Sequence, residues 1–422
     1  MIALVDCNSF FCSVEKAFHP GLNGKPVCVL SSNDGCIEAL TPEAKALGLH
    51  RGDPIFKVKS IVEANDVTLF STNMQLYAAM SKRIVRILRQ AVERVESYSI
   101  DECFCYLDGY EKYFNIEQYM REVAERIELY TGVPVSVGIA PSKTLAKMGS
   151  KFAKNYKGYK SVCVIDTDEK RRKALGLFDL ADVWGVGRQT LQKLNYYGVN
   201  TPLEFAEKSE SWVKSRFHKP TYQTWLELNG VPCIDTTEII QNQSICTSRS
   251  FGEMVEDLDS LKASVATFAS SCANKLRAQN AVAKTVTVFL KSNRFRTDLE
   301  QYANMASLTL LTPTADTIEI TDAALNILQR IFKPGILYKK SGVILSEISA
   351  DNIIQHDLFD GIKNRGERQQ LMKAIDTINQ KYGPKTVKLT VEGEKQQAWK
   401  VKCVHKSPNY LTDINEILTI HI

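Results

Sequence analysis

The segment ESYSIDECFCYL, residues 96–107, decides how the rest of the chain is read. Two β-type runs, ESYSI and CFCYL, are separated only by Asp101 and Glu102, which predicts a hairpin with two acids at its bend. Like charges this close repel unless a cation neutralises them, so the pair points toward a divalent metal. An acidic bend by itself is more often a solvated turn, and the neighbouring segments have to carry the reading. At the amino terminus the apolar run IALV (2–5) leads straight into Asp6, a buried strand ending on a carboxylate. Laid beside the hairpin, that strand supplies a third acid. Three carboxylates plus substrate phosphates suffice for magnesium, which takes oxygen ligands and keeps several waters. Two ions about 3.5–4 Å apart activate an attacking hydroxyl and stabilise a leaving oxygen, the chemistry of phosphoryl or nucleotidyl transfer.

Working outward, residues 74–91 place Leu76, Met80, Ile84, Leu88 and Ala91 at helical intervals, an amphipathic helix. NSFFCSVEKAF has helical spacing through Phe11, Val14 and Phe18. A helix over about 116–130, a strand (VPVSVGI), a helix beginning near Ser142 and a strand (SVCVI) follow, which predicts an α/β sheet covered on one face. PSKTLAKMGSKFAK puts Lys143, Lys147, Lys151 and Lys154 in one basic stripe, the kind of cation set a metal-bound triphosphate needs. The charged run DTDEKRRK (166–173) reads as a boundary before a helical segment reaching about Pro232. There GVGRQT lacks the last glycine of a dinucleotide fingerprint. A tight turn with Gly185, Gly187 and Arg188, and Lys193 nearby, suits a DNA phosphate, although a simple interhelical turn fits equally well. After a polar stretch at 238–244, a third unit begins with SRSFG and reads helix (258–279), two strands, helix (322–332) and strand. Lys284, Lys291, Arg294, Arg296, Lys339 and Lys340 along it fit backbone tracking. From Ser349 the chain turns polar, with one helical stretch near 367–381, and is expected to be loosely ordered or to fold on partners.

At 422 residues the chain is too long for one core. With 44% hydrophobic and 24% charged residues it has a soluble composition, and no run approaches the roughly 20 apolar residues of a membrane span. MIALVDCNSFF has no basic region and is not a signal peptide, so a cytoplasmic location is expected. Eleven scattered cysteines read as free thiols in a reducing compartment, and none stands at zinc spacing. A net charge of +5 permits nucleic-acid binding without demanding it.

LVDCNSFF (4–11), YSIDE (98–102) and GIAPSKTLAK (138–147) occur in the order found in Y-family DNA polymerases. With SNDGC, EAKALG, VWGVGR, SRSFG and LLTPT, the chain resembles the UmuC type, the catalytic subunits of bacterial DNA polymerase V, over roughly residues 1–350. The resemblance implies an α/β multidomain right-handed polymerase. It would comprise an α/β palm (1–20 and 75–165), small fingers (21–74), a helix-hairpin-helix thumb (166–232), an α/β little finger (243–350) and a partner-binding tail (351–422). It makes Asp6, Asp101 and Glu102 the ligands of two Mg2+ ions, which Mn2+ can replace, with the Cys7 carbonyl assisting. Phe10 and Phe11 would line the nucleotide site, Phe11 as the steric gate against a ribose 2′-hydroxyl. Lys45 and Lys154 would hold the triphosphate, and Tyr77 would stand near the nascent pair.

The implied activity is error-prone translesion synthesis in the SOS response, using primer-template DNA and deoxynucleoside triphosphates. The implied partners are a processed UmuD-like dimer, a RecA filament and, through Gln355, Leu358 and Phe359 of QHDLF, the β sliding clamp. Two rival readings are a catalytically silent DNA-binding scaffold and a nucleotidyl cyclase. The retained carboxylates and Phe11 oppose the first, and the thumb, little finger and clamp motif oppose the second. The chain departs from the UmuC pattern at Glu38 and Leu40, which would alter substrate affinity if they face it, and at SPNYL (407–411).

Overall fold

The computed structural model describes residues 1–236, 242–352, 364–393 and 399–418. The chain divides into two compact units, residues 1–238 with 404–422, and residues 239–403. The first opens with β1 (Ile2–Cys7) and α1 (Phe10–Phe18). A small subdomain follows: β2 (Val27–Leu30), β3 (Ile37–Leu40), α2 (Pro42–Ala46), α3 (Ile55–Ala64) and β4 (Thr68–Ser71). The chain continues through α4 (Met74–Ala91), β5 (Arg94–Ser97), β6 (Glu102–Tyr106), α5 (Ile116–Thr131), β7 (Val135–Ala140), α6 (Lys143–Asn155) and β8 (Val162–Val164). Five helices complete it: α7 (Asp168–Leu177), α8 (Arg188–Tyr196), α9 (Pro202–Ala206), α10 (Glu210–Arg216) and α11 (Lys219–Leu228).

β5, β6, β1, β7 and β8 form a five-stranded sheet in that order. The period-2 alternation of β1 feeds two cores: Ala3, Val5 and Cys7 pack with Leu76, Met80 and Ile84 of α4, while Ile2 and Leu4 pack with Leu145, Met148 and Phe152 of α6. Helices therefore cover both faces, where the strand and helix alternation had suggested one. The second core continues into Leu175, Leu194, Phe205 and Leu228, beneath the largely exposed charged run 166–173. The residues of that run start α7, capped by the Thr167 side chain, with Asp168 and Glu169 at the positive end of the helix dipole.

The small subdomain has its own sheet, β3-β2-β4, and its own core around Cys28, Leu30, Ile37 and Leu49. Leu40 lies in that core and Glu38 pairs with Arg51 at 2.6 Å, so neither departure presents a free side chain to a substrate. All eleven cysteines are free thiols.

The second unit comprises β9 (Ser244–Val255), α12 (Leu258–Arg277), β10 (Ala281–Ser292), β11 (Ala303–Thr314), α13 (Thr317–Ile331), β12 (Tyr338–Ala350) and α14 (Arg365–Tyr382). Its sheet runs β11-β10-β12-β9, with the α12 and α13 core on one face. The polar tail is not loose where it is described. Arg277 binds Asp376, Arg368 binds Asp316 and Arg365 binds Glu319, while Met372 and Trp399 are buried anchors. Ion pairs carry much of this docking, so hydropathy alone conceals it. No described helix is long and apolar enough to cross a membrane.

One close approach positions the helix that matters most. A Cβ on Gly138 of β7 would fall 2.0 Å from the Ala146 carbonyl oxygen and 2.1 Å from the Ser150 nitrogen, and one on Gly149 would lie 3.0 Å from the Gly138 Cα. The backbone of α6 thus rests directly on β7. Gly138→Ala is expected to force the helix outward and destabilise the first unit by about 1–3 kcal/mol, the usual cost of overpacking. A thermal melt unchanged from the parent would show that α6 does not need this contact.

Candidate active site

The hairpin predicted at residues 96–107 exists but its turn sits earlier: β5 and β6 pair antiparallel, with Ser97 opposite Cys103, residues 98–101 make the bend, and Glu102 opens β6 instead of standing at the turn. β1 lies beside β6 in a register that sets Asp6 directly across from Glu102. The Cys7 amide donates to the Asp101 carbonyl at 2.9 Å, which ties the ends of the two strands together. Ser99 shapes the bend, its hydroxyl accepting from the amides of Asp101 and Glu102 and donating to the Asp101 carboxylate. Cross-strand partners share a face, so Asp6 and Glu102 both point to the α6 side.

From α6, Lys147 Nζ donates to both Glu102 oxygens at 2.7 and 2.9 Å, and Lys154 Nζ stands 3.3 Å from Asp6 Oδ1. Lys147 also lies 4.6 Å from the ring centre of Tyr98 and 5.3 Å from that of Trp184. The other two lysines of the stripe go elsewhere. Lys143 is buried against Glu96 at 2.9 and 3.0 Å, and Lys151 pairs with Asp182. Burial alone would push the Glu96 carboxyl up, but hydrogen bonds from Thr236, Lys143 and Tyr106 hold it below its ordinary value.

The Asp6 carboxyl is raised, first by burial and then by the nearby charges of Glu102 and Asp101, against the opposing pull of Lys154. More negative charge is gathered here than the lysines balance. The donor set of three carboxylates fits a hard divalent cation. No group of three His, Cys, Asp or Glu side chains among the described residues is arranged as a metal cluster, since Asp6 and Glu102 are turned toward lysines.

Beside the acids, Phe11 is partly buried and stacks on Tyr77, with ring centres 4.4 Å apart and planes at 15°. Phe10 and Tyr77 are themselves core residues, 4% and 0% exposed. Both belong to the core cluster against which Phe11 packs. Tyr77 follows α4 periodicity from Asn73, the cap of that helix, and a tyrosine at a core position needs a hydroxyl partner; it donates to Glu15 at 2.7 Å. Glu15 was not singled out from the sequence. The available signal was an acid four residues after Phe11 on the apolar face of α1. Lys45 is exposed on α2.

Gly185, at φ 93°, and Gly187, which precedes α8, are exposed along with Arg188, and no side chain caps that helix start. In the second unit Lys284, Lys291 and Arg294 are exposed, whereas Arg296 pairs with Asp298 and Lys339 is tied to the Phe251 carbonyl. The face of its sheet away from the helices carries Thr285, Thr287 and Lys291 of β10 beside Ser307 and Thr309 of β11. Gln355, Leu358 and Phe359 lie outside the described residues.

The fold these elements make is that of the Y-family DNA polymerases. A Y-family DNA polymerase chimera, Dbh-Dpo4(243-245)-Dbh, matches with TM-score 0.64 at 21% identity, covering 83% of this chain and 100% of that one. An insertion ternary complex of Dbh DNA polymerase matches with TM-score 0.52 at 20% identity, covering 83% and 100%. Residues 5–151 match the impB/mucB/samB family, residues 242–358 that family's C-terminal domain, and residues 369–420 the domain of unknown function DUF4113. The chain is 38% identical to Protein UmuC of Salmonella typhimurium over 422 residues, covering 100% of both. It is 38% identical to Protein ImpB of Salmonella typhimurium over 383 residues, 90% of each, and 34% identical to Protein MucB of Escherichia coli over 418 residues, 99% of each. The chain belongs to the impB/mucB/samB family, the UmuC-type Y-family polymerases.

Proposed function

We propose that this chain carries out error-prone, template-directed addition of deoxynucleotides opposite damaged DNA, as a DNA-directed DNA polymerase of the SOS response. The observation that carries the reading is the cross-strand pairing of Asp6 with Glu102, with Asp101 adjacent and Lys147 and Lys154 above. Asp6, Asp101, Glu102 and the Cys7 carbonyl would hold two Mg2+ or Mn2+ ions. Such ions, when bound, supply activation of the primer hydroxyl and stabilisation of the leaving oxygen. Lys154, with Lys45, holds the triphosphate by charge, and Phe11 excludes a 2′-hydroxyl by overlap. Gly185, Gly187 and Arg188 grip one DNA phosphate, and Lys284, Lys291 and Arg294 track the backbone without reading sequence. The location is the cytoplasm.

Asp101→Asn is expected to abolish primer extension while leaving DNA affinity largely intact, because it removes a carboxylate from the reacting centre and touches none of the basic residues. Extension at a rate comparable to the parent would sink the assignment of these acids.

Phe11→Ala is expected to raise ribonucleotide insertion by orders of magnitude, each tenfold corresponding to about 1.4 kcal/mol of transition-state discrimination. Phe11 is only partly buried, so the accompanying loss of stability should stay below the roughly 3–5 kcal/mol of a fully buried phenylalanine. Insertion of both sugar forms and the melting temperature are measured together. Loss of both activities with a much lower melting temperature would identify Phe11 as packing only.

A processed UmuD-like dimer, a RecA filament and the β sliding clamp are the proposed partners. Extension on a defined lesion template is expected to rise when they are added. Alanine at Leu358 and Phe359 should remove only the share due to the clamp, and equal clamp stimulation of both proteins would eliminate that docking site.

A further inference from the structure

Glu15 of α1 is fully buried, and its Oε1 accepts two hydrogen bonds, from the Tyr77 hydroxyl at 2.7 Å and from the Ser407 hydroxyl at 2.9 Å. Its other oxygen, Oε2, has no hydrogen-bond partner among the described residues. Ser407 comes from the far end of the chain, within the region that matches a domain of unknown function. Residues 404–418 lie on the first unit as a strap. Lys406 bridges in parallel to Ser71 at the end of β4, where the Ser71 amide donates to the His405 carbonyl at 2.9 Å. The Asn73 amide group donates to the Ser407 carbonyl at 2.9 Å, while its own oxygen caps α4 through the Leu76 amide. Tyr410 stacks on Phe18 with ring centres 4.7 Å apart, its hydroxyl 3.2 Å from His19 Nε2. The strap is thus anchored before and after Ser407 by contacts that do not involve Glu15.

These contacts make one continuous path: Ser407 to Glu15, Glu15 to Tyr77, and Tyr77 by ring stacking to Phe11. We propose that Ser407 is a positioning residue for sugar discrimination. Through Glu15 and Tyr77 it fixes the plane of the Phe11 ring, so the carboxy-terminal strap sets how strictly a ribose is excluded. The proposal rests on the reading of Phe11 as the steric gate. The hydroxyl bond to Glu15 adds a directional contact to the packing that sets the tilt of the Tyr77 ring. The Glu15 carboxyl is held through Oε1 by two donors, so losing one of them loosens its orientation. Without the Ser407 donor the carboxyl is free to turn, and the stack under Phe11 turns with it.

The test uses the full chain and single-nucleotide insertion of matched deoxy- and ribonucleotides, read as the ratio of their kcat/KM values, together with the melting temperature. Ser407→Ala is expected to lower that ratio roughly tenfold, the size of effect one lost hydrogen bond to a buried acid allows. Deoxynucleotide insertion itself should change little. Tyr77→Phe should produce the same loss, and the two substitutions together should add nothing beyond either alone. In a Phe11→Ala background Ser407→Ala should have no effect on the ratio. A parallel fall in both insertions at constant ratio, with a lower melting temperature, would show that Ser407 only packs the strap and overturn the proposal. If Phe11→Ala raises ribonucleotide use while Ser407→Ala leaves the ratio unmoved, the gate stands and the relay falls. If Phe11→Ala itself leaves the ratio unmoved, the gate reading fails first.

Discussion

The direct contact of α6 with β7, made possible by two residues without side chains, is the constraint from which the site follows. Gly138 and Gly149 let one backbone rest on the other, and any Cβ at Gly138 would overlap the helix. A helix seated there climbs about 1.5 Å per residue, so the step from Lys143 to Lys154 spans roughly 16 Å of sheet. One basic stripe therefore meets different acids in turn: Glu96, Glu102, Asp182 and Asp6. Only the second and fourth contacts fall on the strands that carry the catalytic candidates. Lys147 and Lys154 are seven residues apart, close to two full turns, which brings both to one side of the helix.

Electrostatics then separates structural from functional lysines. The Lys143 and Glu96 pair is almost fully enclosed, and both partners are satisfied, with Thr236 and Tyr106 completing the carboxylate. Such a pair is satisfied within the first unit and has no charge left for a ligand. Around Asp6 the balance differs. Asp6 and Glu102 each face a lysine, Asp101 adds further negative charge nearby, and Asp6 stays raised even with Lys154 beside it. An acid cluster left short of positive charge by its own protein favours a cation from outside.

How much of this was legible depended on the range of the signal. The hairpin, its acids and the strand ending at Asp6 were local patterns, and α4 occupies the residues its apolar spacing marks. The expectation that sequential strands lie side by side brought Asp6 to the hairpin, but β1 pairs with β6 and skips β5, the next strand of its sheet, which is what sets Asp6 across from Glu102. Signals that depended on distant chain were lost. The stripe of α6 looked uniform because its four acidic partners come from separate segments. Nothing near Tyr77 in the sequence announces that Glu15, 62 residues away, takes its hydroxyl. Leu40 looked like a missing cation, yet it fills the core of the small sheet. The polar tail looked loose because it docks through Arg277, Arg365 and Arg368 more than through apolar residues.

Glu15 shows what a local rule broken in the sequence can mean. Placing an acid on the apolar face of α1 is costly unless hydrogen bonds compensate, and no residue of α1 itself supplies them. Burial raises this carboxyl, while the Tyr77 and Ser407 bonds pull the other way. A leucine at that position would pack without either partner. The acid makes the first helix of the chain complete only when the strap near its end is in place, and it does so one helical turn from Phe11. A polar group buried where an apolar one would serve specifies a partner, and here that partner is 392 residues away in the same chain.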